Sequence, residues 1–337
     1  MDKTGSTGCL TRLKQRAAAA PGRIGTVALL YGGTCGEREV SIASGTNVRR
    51  VLEKEGLHIH FIDTGRAGFV EELIATKPDV AFIALHGTGG EDGCIQGLLE
   101  MLGIPYTHSG VTSSALAMDK AVTKILYKDC GLATAAYVEL PHGLRPKTTE
   151  LDAILARIGL PCVVKPTCDG SSLGVSLPKT REEVEVALDE GFAISDTLLI
   201  EEFIKGVEVT VPVLGNWQEE PLALPVIEII PKNEFYDYES KYADGGSTHL
   251  IPARITAESA ERCSQAAIAA HAVLKCAGIS RTDMIVSEDG TPWLIETNTV
   301  PGMTHTSLIP ESARHFGLTD GELYLLLLDF ALEQNQE

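Results

Sequence analysis

Along the first half of the chain, continuous apolar runs alternate with segments whose apolar residues are at helical spacing. Thr26–Tyr31 is a continuous apolar run that ends at a pair of glycines, and residues 41–55 then carry apolar side chains at helical spacing. Residues 80–85 form a second buried-type run, which is followed by a glycine turn and a helical segment over about 94–102. Strand, glycine turn and helix in repeated succession predict a parallel sheet with helices on its faces.

The second half of the chain has stronger helical segments. A lysine-bearing helix is predicted over residues 119–130, an acidic helix over 181–191 and a long helix over 258–277. The first 23 residues are polar and rich in alanine without a clear period. They are expected to form a mobile extension.

Shorter strands lie between these helices. Residues 198–200 and Val207–Leu214 are predicted to pair as antiparallel strands on either side of Lys205-Gly206. Residues 284–287 and 293–295 are predicted to form a hairpin, because the segment between them contains a good turn sequence. Together with the first half, this pattern predicts an α/β protein with more than one domain.

Composition and charge exclude several classes of protein. The 337 residues include 46 acids and 28 bases, a net charge of −18, whereas a dedicated nucleic-acid binder normally has a basic face. The apolar run over residues 323–328 is far too short to span a membrane. Eight scattered cysteines without a CxxC pair indicate reduced thiols, so we expect a cytoplasmic protein that binds neither nucleic acid nor membrane.

One loop has the composition of a phosphate-binding site. Lys165 ends a short strand and is followed by small residues that include Gly170, Ser171, Ser172 and Gly174. Backbone N–H groups and hydroxyls of such a loop can surround phosphate oxygens while the lysine neutralises their charge. The segment is not a Walker A motif. By itself it is equally compatible with an ordinary polar turn.

A second segment has the composition of a magnesium site. Asp283 lies on the first strand of the predicted hairpin, and Glu296 and Asn298 lie two residues apart on the second strand, which places them on one face. Carboxylate and amide oxygens are suited to Mg²⁺ that bridges nucleotide phosphates. Arg281 would share the face of Asp283.

Two weaker signals complete the candidate chemistry. Glu201 and Glu202 lead into Ile204 and Glu208, and a carboxylate beside an apolar linker can accept ribose hydroxyls, although paired glutamates are usually surface charge. The glycine-rich turns of the first half present Glu37 and His86 at strand ends, where open α/β sheets place their ligands. Neither turn has the GxGxxG pattern of dinucleotide-binding proteins.

These residues, taken together, resemble the D-alanine–D-alanine ligases of the ATP-grasp superfamily over residues 23–333. Each segment is weak alone, but their number and order are highly specific. The matching segments are, in chain order, residues 32–41, 84–93, 117–120, 165–174, 235–242, 281–283 and 296–304.

The resemblance implies an α/β fold of three-domain ATP-grasp architecture with an N-terminal parallel-sheet (preATP-grasp) domain and an α+β central module. The expected division is a mobile extension (1–23), an N-terminal α/β substrate domain (24–117), a central lid (118–210) and a C-terminal domain (211–337). A loop over residues 235–247 would close over the site. Family members are usually homodimers, and a homodimer is expected here.

The resemblance also implies a reaction in which ATP phosphorylates one D-alanine and the amine of a second D-alanine displaces the phosphate. Lys120 and Lys165 would hold ATP phosphates, and Asp283, Glu296 and Asn298 would hold two Mg²⁺ or Mn²⁺ ions. The further residues implied to bind ATP are Ser172, Glu201, Glu202, Ile204, Glu208 and Lys241.

For the amino acids, the resemblance implies that Glu37 accepts the ammonium group of the first D-alanine, with His86 nearby. Ser171 and Tyr242 would complete a hydrogen-bonded triad with Glu37. Arg281 and the Gly302 N–H would stabilise the oxyanion, while Ser307 and the Leu308 backbone would receive the carboxylate of the second substrate.

Three alternatives remain open from the sequence. A ligase of the same fold could use D-serine, D-lactate or another amino acid as second substrate, although Lys241-Tyr242 and Leu308 favour D-alanine in both positions. A catalytically silent nucleotide-binding protein is a second alternative, and a nicotinamide dehydrogenase is a remote third.

Overall fold

The computed structural model describes residues 3–141, 144–168, 174–231 and 246–334. Its helices are α1 Lys3–Ala19, α2 Arg38–Lys54, α3 Phe69–Thr76, α4 Cys94–Leu102, α5 Val111–Met118, α6 Lys120–Asp129, α7 Thr148–Ile158, α8 Arg181–Phe192, α9 Ala257–Val273, α10 Leu308–Phe316 and α11 Asp320–Gln334. Its strands are β1 Thr26–Tyr31, β2 His58–Asp63, β3 Val80–Ile83, β4 Tyr137–Pro141, β5 Cys162–Pro166, β6 Thr197–Glu202, β7 Val207–Leu214, β8 Leu222–Ala223, β9 Ile227–Pro231, β10 Ser247–Leu250, β11 Ile279–Val286 and β12 Pro292–Asn298.

The first sheet is parallel, as the alternation of strands and helices predicted. Its order is β2-β1-β3, with Val27 paired to both Ile59 and Val80. The four central residues of β1 are buried because apolar side chains cover both faces of the sheet. Val27 and Leu29 belong to the core shared with α2 and α11, while Ala28 and Leu30 face α3 and α4.

The second sheet is antiparallel and has the order β4-β6-β5. Helices α7 and α8 cover one face through a core that includes Leu151, Val184, Leu188 and Ile200. The opposite face carries the polar residues described below.

The third sheet is also antiparallel, with the order β10-β9-β7-β11-β12 and β8 paired to β7. Helix α9 packs against it through small residues, including Cys263, Ala267 and Ala270. The predicted hairpin is confirmed, because β11 pairs with β12 and Asp283 lies opposite Glu296.

The predicted pairing between residues 198–200 and β7 is wrong. Strand β6 lies between β4 and β5 of the second sheet, whereas β7 is a central strand of the third. Gly206 lies so close to Val286 O that a Cβ atom there would clash with it. The chain therefore leaves one sheet and enters the other at residues 203–206, and the predicted boundary at residue 210 falls inside β7.

Residues 3–19, which the sequence analysis assigned to a mobile extension, form helix α1, and this helix packs on the body of the protein. Helix α1 places Leu10, Leu13 and Ala17 against the core that contains α11. Arg16 and Arg23 both form ion pairs with Asp329 of α11, whose side chain is fully buried. Apolar contact and charge pairing thus hold this segment on the body of the protein. No helix in the described ranges is long and apolar enough to cross a membrane.

Candidate active site

A cavity of about 490 Å³ lies between the second and third sheets. It brings together residues that are far apart in the chain but were all proposed to bind ATP or metal. The proposed residues that line it are Lys120, Lys165, Glu201, Glu202, Ile204, Glu208, Asp283 and Glu296.

Lys120 is placed in the wall of this cavity by the start of α6. Asp119 accepts hydrogen bonds from the N–H groups of Ala121 and Val122 and so caps the helix at this point. The Lys120 N–H also donates to Thr167 O at 3.2 Å, which ties the helix to the end of β5. A local capping signal therefore determines where this lysine enters the cavity.

Glu201 is the centre of a buried charge cluster. Its carboxylate lies 2.9 Å from Lys165 Nζ and 3.1 Å from Lys124 Nζ. Burial raises the pKa of Glu201, but the two ammonium groups outweigh burial, and the net effect lowers the pKa. Glu201 is therefore an ionised carboxylate, with Lys165 placed at the cavity wall.

Glu296 and Lys120 form a second ion pair in the cavity, with Lys120 Nζ 3.3 Å from Glu296 Oε2. Burial lowers the pKa of Lys120, and the attraction of Glu296 more than offsets this, so the pKa is raised. Lys120 is consequently a cation in the folded protein, as a phosphate-binding lysine must be.

Asp283 is surrounded by hydrogen-bond donors from three strands. Arg281 donates to both carboxylate oxygens, at 2.9 and 2.8 Å, and Asn298 Nδ2 donates at 3.3 Å. Thr210 of β7 donates to Oδ1. These bonds orient the carboxylate on the face that also carries Glu296.

The oxygen atoms around Asp283 are of the kind that Mg²⁺ or Mn²⁺ binds. Asp283 and Glu296 are hard oxygen ligands on neighbouring strands, and the amide of Asn298 contacts Asp283. Within the described ranges no three His, Cys, Asp or Glu side chains cluster as a metal centre. The set fits an ion that keeps water and takes further oxygens from nucleotide phosphates, as Mg²⁺ commonly does.

Glu37 and His86 lie at the carboxyl ends of β1 and β3, where the sequence placed them. Glu37 is buried, and its carboxylate packs so tightly on Gly87 that a Cβ atom at residue 87 would clash with it. Gly87 also has a φ of +64°, so two separate constraints favour glycine at this turn.

Arg38 holds the turn that precedes Glu37. It donates to both oxygens of Asp63, at 2.8 and 2.7 Å, and to Gly33 O at 2.8 Å. These hydrogen bonds lower the pKa of Asp63 and keep the pair charged. The hydrogen bonds of Arg38 thereby hold in place the loop that carries the Glu37 carboxylate.

His86 connects this turn to the loop after β12. Its Nδ1 lies 3.1 Å from Val300 O, and because a carbonyl can only accept, Nδ1 carries the proton. Nε2 of the same ring lies 3.0 Å from Ser44 Oγ. The N–H of Met303 donates to the same serine hydroxyl at 3.3 Å.

The loop after β12 ends at the start of α10. Ser307 precedes the helix, and its hydroxyl accepts a hydrogen bond from Thr304 N at 2.9 Å instead of capping the helix. Gly302 lies next to Ser307 Oγ, 3.0 Å from where a Cβ atom would stand. Gly302, Ser307 and Leu308 are thus brought together at a helix N-terminus, which favours an anionic group.

The chain is similar to known proteins both in sequence and in structure. The family model described as "D-ala D-ala ligase C-terminus" matches residues 126–329, and that described as "D-ala D-ala ligase N-terminus" matches residues 67–109. A D-alanine–D-alanine ligase from Halalkalibacterium halodurans is 45% identical over 309 residues, which cover 91% of this chain and 99% of that protein. The chain belongs to the D-alanine–D-alanine ligase family.

Solved structures of the family agree with the fold. The crystal structure of a D-alanine–D-alanine ligase from Bacillus anthracis has a TM-score of 0.81 and 35% identity, covering 93% of this chain and 99% of that chain. A structure of the Bacillus anthracis ligase complexed with ATP has a TM-score of 0.78 and 34% identity, covering 93% and 98%.

Four predicted site residues lie outside the residues that the structure describes. They are Ser171, Ser172, Lys241 and Tyr242. Two residues in the site were missed by the sequence analysis, namely Lys124 and Thr210. Each had a signal in the sequence, because Lys124 follows Lys120 by one helical turn and Thr210 follows Glu208 on the same strand face.

Proposed function

We propose that this protein joins two D-alanines into D-alanyl-D-alanine at the expense of ATP, through an acyl phosphate, for peptidoglycan precursor synthesis. The observation that carries the proposal is the single cavity that combines lysines around Glu201 with the carboxylates Asp283 and Glu296. The shared family and the ATP complex of a structural neighbour support the same activity.

In this proposal the cavity binds ATP with its phosphates toward Lys120 and Lys165. Glu201, Glu202, Ile204 and Glu208 line the part of the cavity proposed for adenine and ribose. Asp283, Glu296 and Asn298 would hold two Mg²⁺ or Mn²⁺ ions. When bound, the ions would offset the repulsion between the triphosphate and the attacking carboxylate.

The amino acids are proposed to bind between the first sheet and the loop before α10. Glu37 receives the ammonium group of the first D-alanine, and His86 orders the surrounding loop through its contacts with Val300 O and Ser44. Ser307 and the Leu308 N–H receive the carboxylate of the second. Arg281 and the Gly302 N–H stabilise the oxyanion that forms as the amine attacks.

The loop over residues 235–247 is proposed to close over the site, because an acyl phosphate exposed to water would hydrolyse. Lys241 on that loop would reach the transferred phosphate. Tyr242 and Ser171 would complete the triad with Glu37, and Ser172 would bind phosphate. These four assignments rest on the resemblance of the motifs.

We further propose an N-terminal substrate domain (24–117), a central lid that begins at residue 118, and a C-terminal domain that starts with β7. A homodimer in the cytoplasm is proposed for the active protein. All eight cysteines are free thiols, which agrees with a reducing compartment.

The experiment is phosphate release from ATP across a panel of D-alanine, D-serine, D-lactate and L-alanine, with products identified by mass spectrometry. D-Alanine alone should give one dipeptide for each phosphate released. Good turnover with another acceptor and none with D-alanine would contradict the proposed substrate, and no turnover with any amino acid would contradict the activity.

A further inference from the structure

Lys124 is a buried cation in the cavity that the proposed mechanism does not use. It lies on α6 one turn after Lys120, and it is 1% exposed. A buried ammonium group is costly unless it is paired and hydrogen bonded. Lys124 Nζ meets this requirement, because it lies 3.1 Å from Glu201 Oε1 and donates to Thr134 Oγ1 at 2.7 Å.

Thr134 extends this contact to the third sheet. Its hydroxyl donates to Leu294 O at 2.9 Å, and Leu294 lies on β12 two residues before Glu296. Lys124 therefore joins α6 to β6 directly, and to β12 through Thr134. Elements from both walls of the cavity are connected through one ammonium group.

Lys165 has two partners that compete for its ammonium group, namely Glu201 and, in the proposed reaction, the phosphates of ATP. Its Nζ lies 2.9 Å from the other carboxylate oxygen of Glu201, and in the proposed reaction it also faces the phosphates of ATP. A lysine that turns its N–H donors to phosphate oxygens gives less compensation to Glu201. Without a second cation, Glu201 would become a buried carboxylate with a weakened counter-ion, and this cost would oppose nucleotide binding.

We propose that Lys124 is a positioning residue for ATP, which keeps Glu201 paired and in place while Lys165 binds phosphate. The proposal rests on the proposed function, because it requires the cavity to bind ATP. Lys124 acts through Glu201 and does not itself touch the reacting atoms. Its substitution should therefore change the binding of ATP and leave the binding of D-alanine nearly unchanged.

The test compares Lys124→Met with Lys128→Met in the full-length protein. Lys128 is a matched control, because it lies on the same helix and over the same Tyr137 ring, at 4.8 Å against 5.7 Å for Lys124, but it is exposed. Lys124→Met should raise KM for ATP by about tenfold or more, with KM for D-alanine within about twofold. Lys128→Met should change neither.

A double-substitution cycle separates this role from a general loss of packing. In Glu201→Gln the side chain at residue 201 no longer needs a counter-ion. Adding Lys124→Met to Glu201→Gln should therefore raise KM for ATP by a smaller factor than adding it to the unaltered protein. Equal factors in the two backgrounds would overturn the proposal.

The variant Lys124→Arg gives an independent test, which is the dependence of ATP affinity on pH. Burial is the main cause that lowers the pKa of Lys124, to about 8, with Lys165 and Lys128 acting in the same direction and Glu201 opposing them. Lys120, one turn earlier on α6, and the Tyr137 ring are the other titratable groups on this side. Affinity for ATP should fall above about pH 8 in the unaltered protein, and this limit should move upward in Lys124→Arg, whose guanidinium stays charged.

The outcomes separate the two proposals. If Lys124→Met does not fold, the upward pH limit of Lys124→Arg decides, and an unchanged limit overturns the role of Lys124. If Lys124→Met binds ATP like Lys128→Met while D-alanine ligation persists, this inference fails and the proposed function stands. If the unaltered protein ligates no D-alanine, the proposed function itself fails.

Discussion

Asp283 on β11 and Glu296 on β12 lie directly opposite each other across the hairpin, at the point where the register of the two strands shifts. Both carboxylates face the same cavity. Asp283 is held by hydrogen bonds from Arg281 and Asn298, whereas Glu296 pairs with Lys120 of the neighbouring helix. The two acids therefore connect the C-terminal sheet to the lysine-bearing side of the site.

Glu296→Gln should abolish most ATP turnover. The amide keeps the shape of the side chain but removes the charge that would bind a divalent cation and pair with Lys120. We expect phosphate release to fall by at least about a hundredfold, equivalent to ~3 kcal/mol of barrier. Glu288→Gln in the exposed turn of the same hairpin is the control and should keep full activity. Undiminished turnover in Glu296→Gln would refute the metal assignment.

Gly206→Ala should weaken ATP binding and lower stability. An added Cβ atom would clash with Val286 O and with the Ile285 side chain, so the linker between β6 and β7 would have to move. This displacement would carry Glu201 and Ile204 away from the third sheet. KM for ATP and the melting temperature report the two effects. Gly22→Ala, where a Cβ atom meets nothing within 4 Å, should alter neither.

Arg16→Ala should destabilise the protein without changing its specific activity. Arg16 pairs with the fully buried Asp329 and lies over the Phe330 ring at 4.3 Å. Removing one partner of a buried carboxylate should cost about 1–3 kcal/mol, moderated by the remaining ion pair with Arg23. Urea unfolding measures the loss, and Arg12→Ala, at an exposed position of the same helix, should show none. Equal stability of the two variants would mean that α1 does not contribute through this contact.

Acid should destabilise the protein well above the pH at which carboxylates protonate. His108 is fully buried, and burial lowers its pKa from 6.5 to about 3; burial also lowers the pKa of His271 to about 4. Because the unfolded chain binds these protons and the folded one does not, stability falls as pH drops below 6.5. Each histidine contributes a slope of up to ~1.4 kcal/mol per pH unit.

The histidine contribution can be isolated between pH 6.5 and 4.5, above the range in which the lowered pKa values of Asp63 and Glu228 matter. His108→Asn should flatten the slope of unfolding free energy against pH in this window. Asparagine suits the site because residue 108 has a φ of +74°. His315→Asn, at an exposed position, should keep the original slope; an identical slope in all three proteins would contradict the role of His108.

The sequence predicted best what depends on neighbours in the chain. The hairpin of β11 and β12 follows from two apolar runs joined by a tight turn, and its alternation places Glu296 and Asn298 on one face. The lysine-bearing helix predicted over residues 119–130 is confirmed as α6, Lys120–Asp129. Glu37 and His86 follow from strand ends of a parallel sheet. In each case the signal lies within one strand, one turn or one helix and its immediate neighbours in the chain.

Predictions failed where the partner is distant in the chain. β6 and β7 are consecutive, yet they enter different sheets because each buries its apolar face against different helices. Residues 3–19 show no clear apolar period, and Leu10, Leu13 and Ala17 pack only because α11 supplies an apolar surface and the buried Asp329. In both cases the local sequence shows one partner of the contact, and the other partner lies far away in the chain.

The sequence by itself thus determined the class of the fold, the order of its motifs and the chemical types of the site residues, because periodicity and local capping are short-range properties. Only the tertiary structure decided that Lys124, Glu201 and Lys165 form one buried charge cluster. The energy of a charge depends on burial and on which opposite charge lies within about 4 Å. Both are properties of three separate chain segments meeting in space.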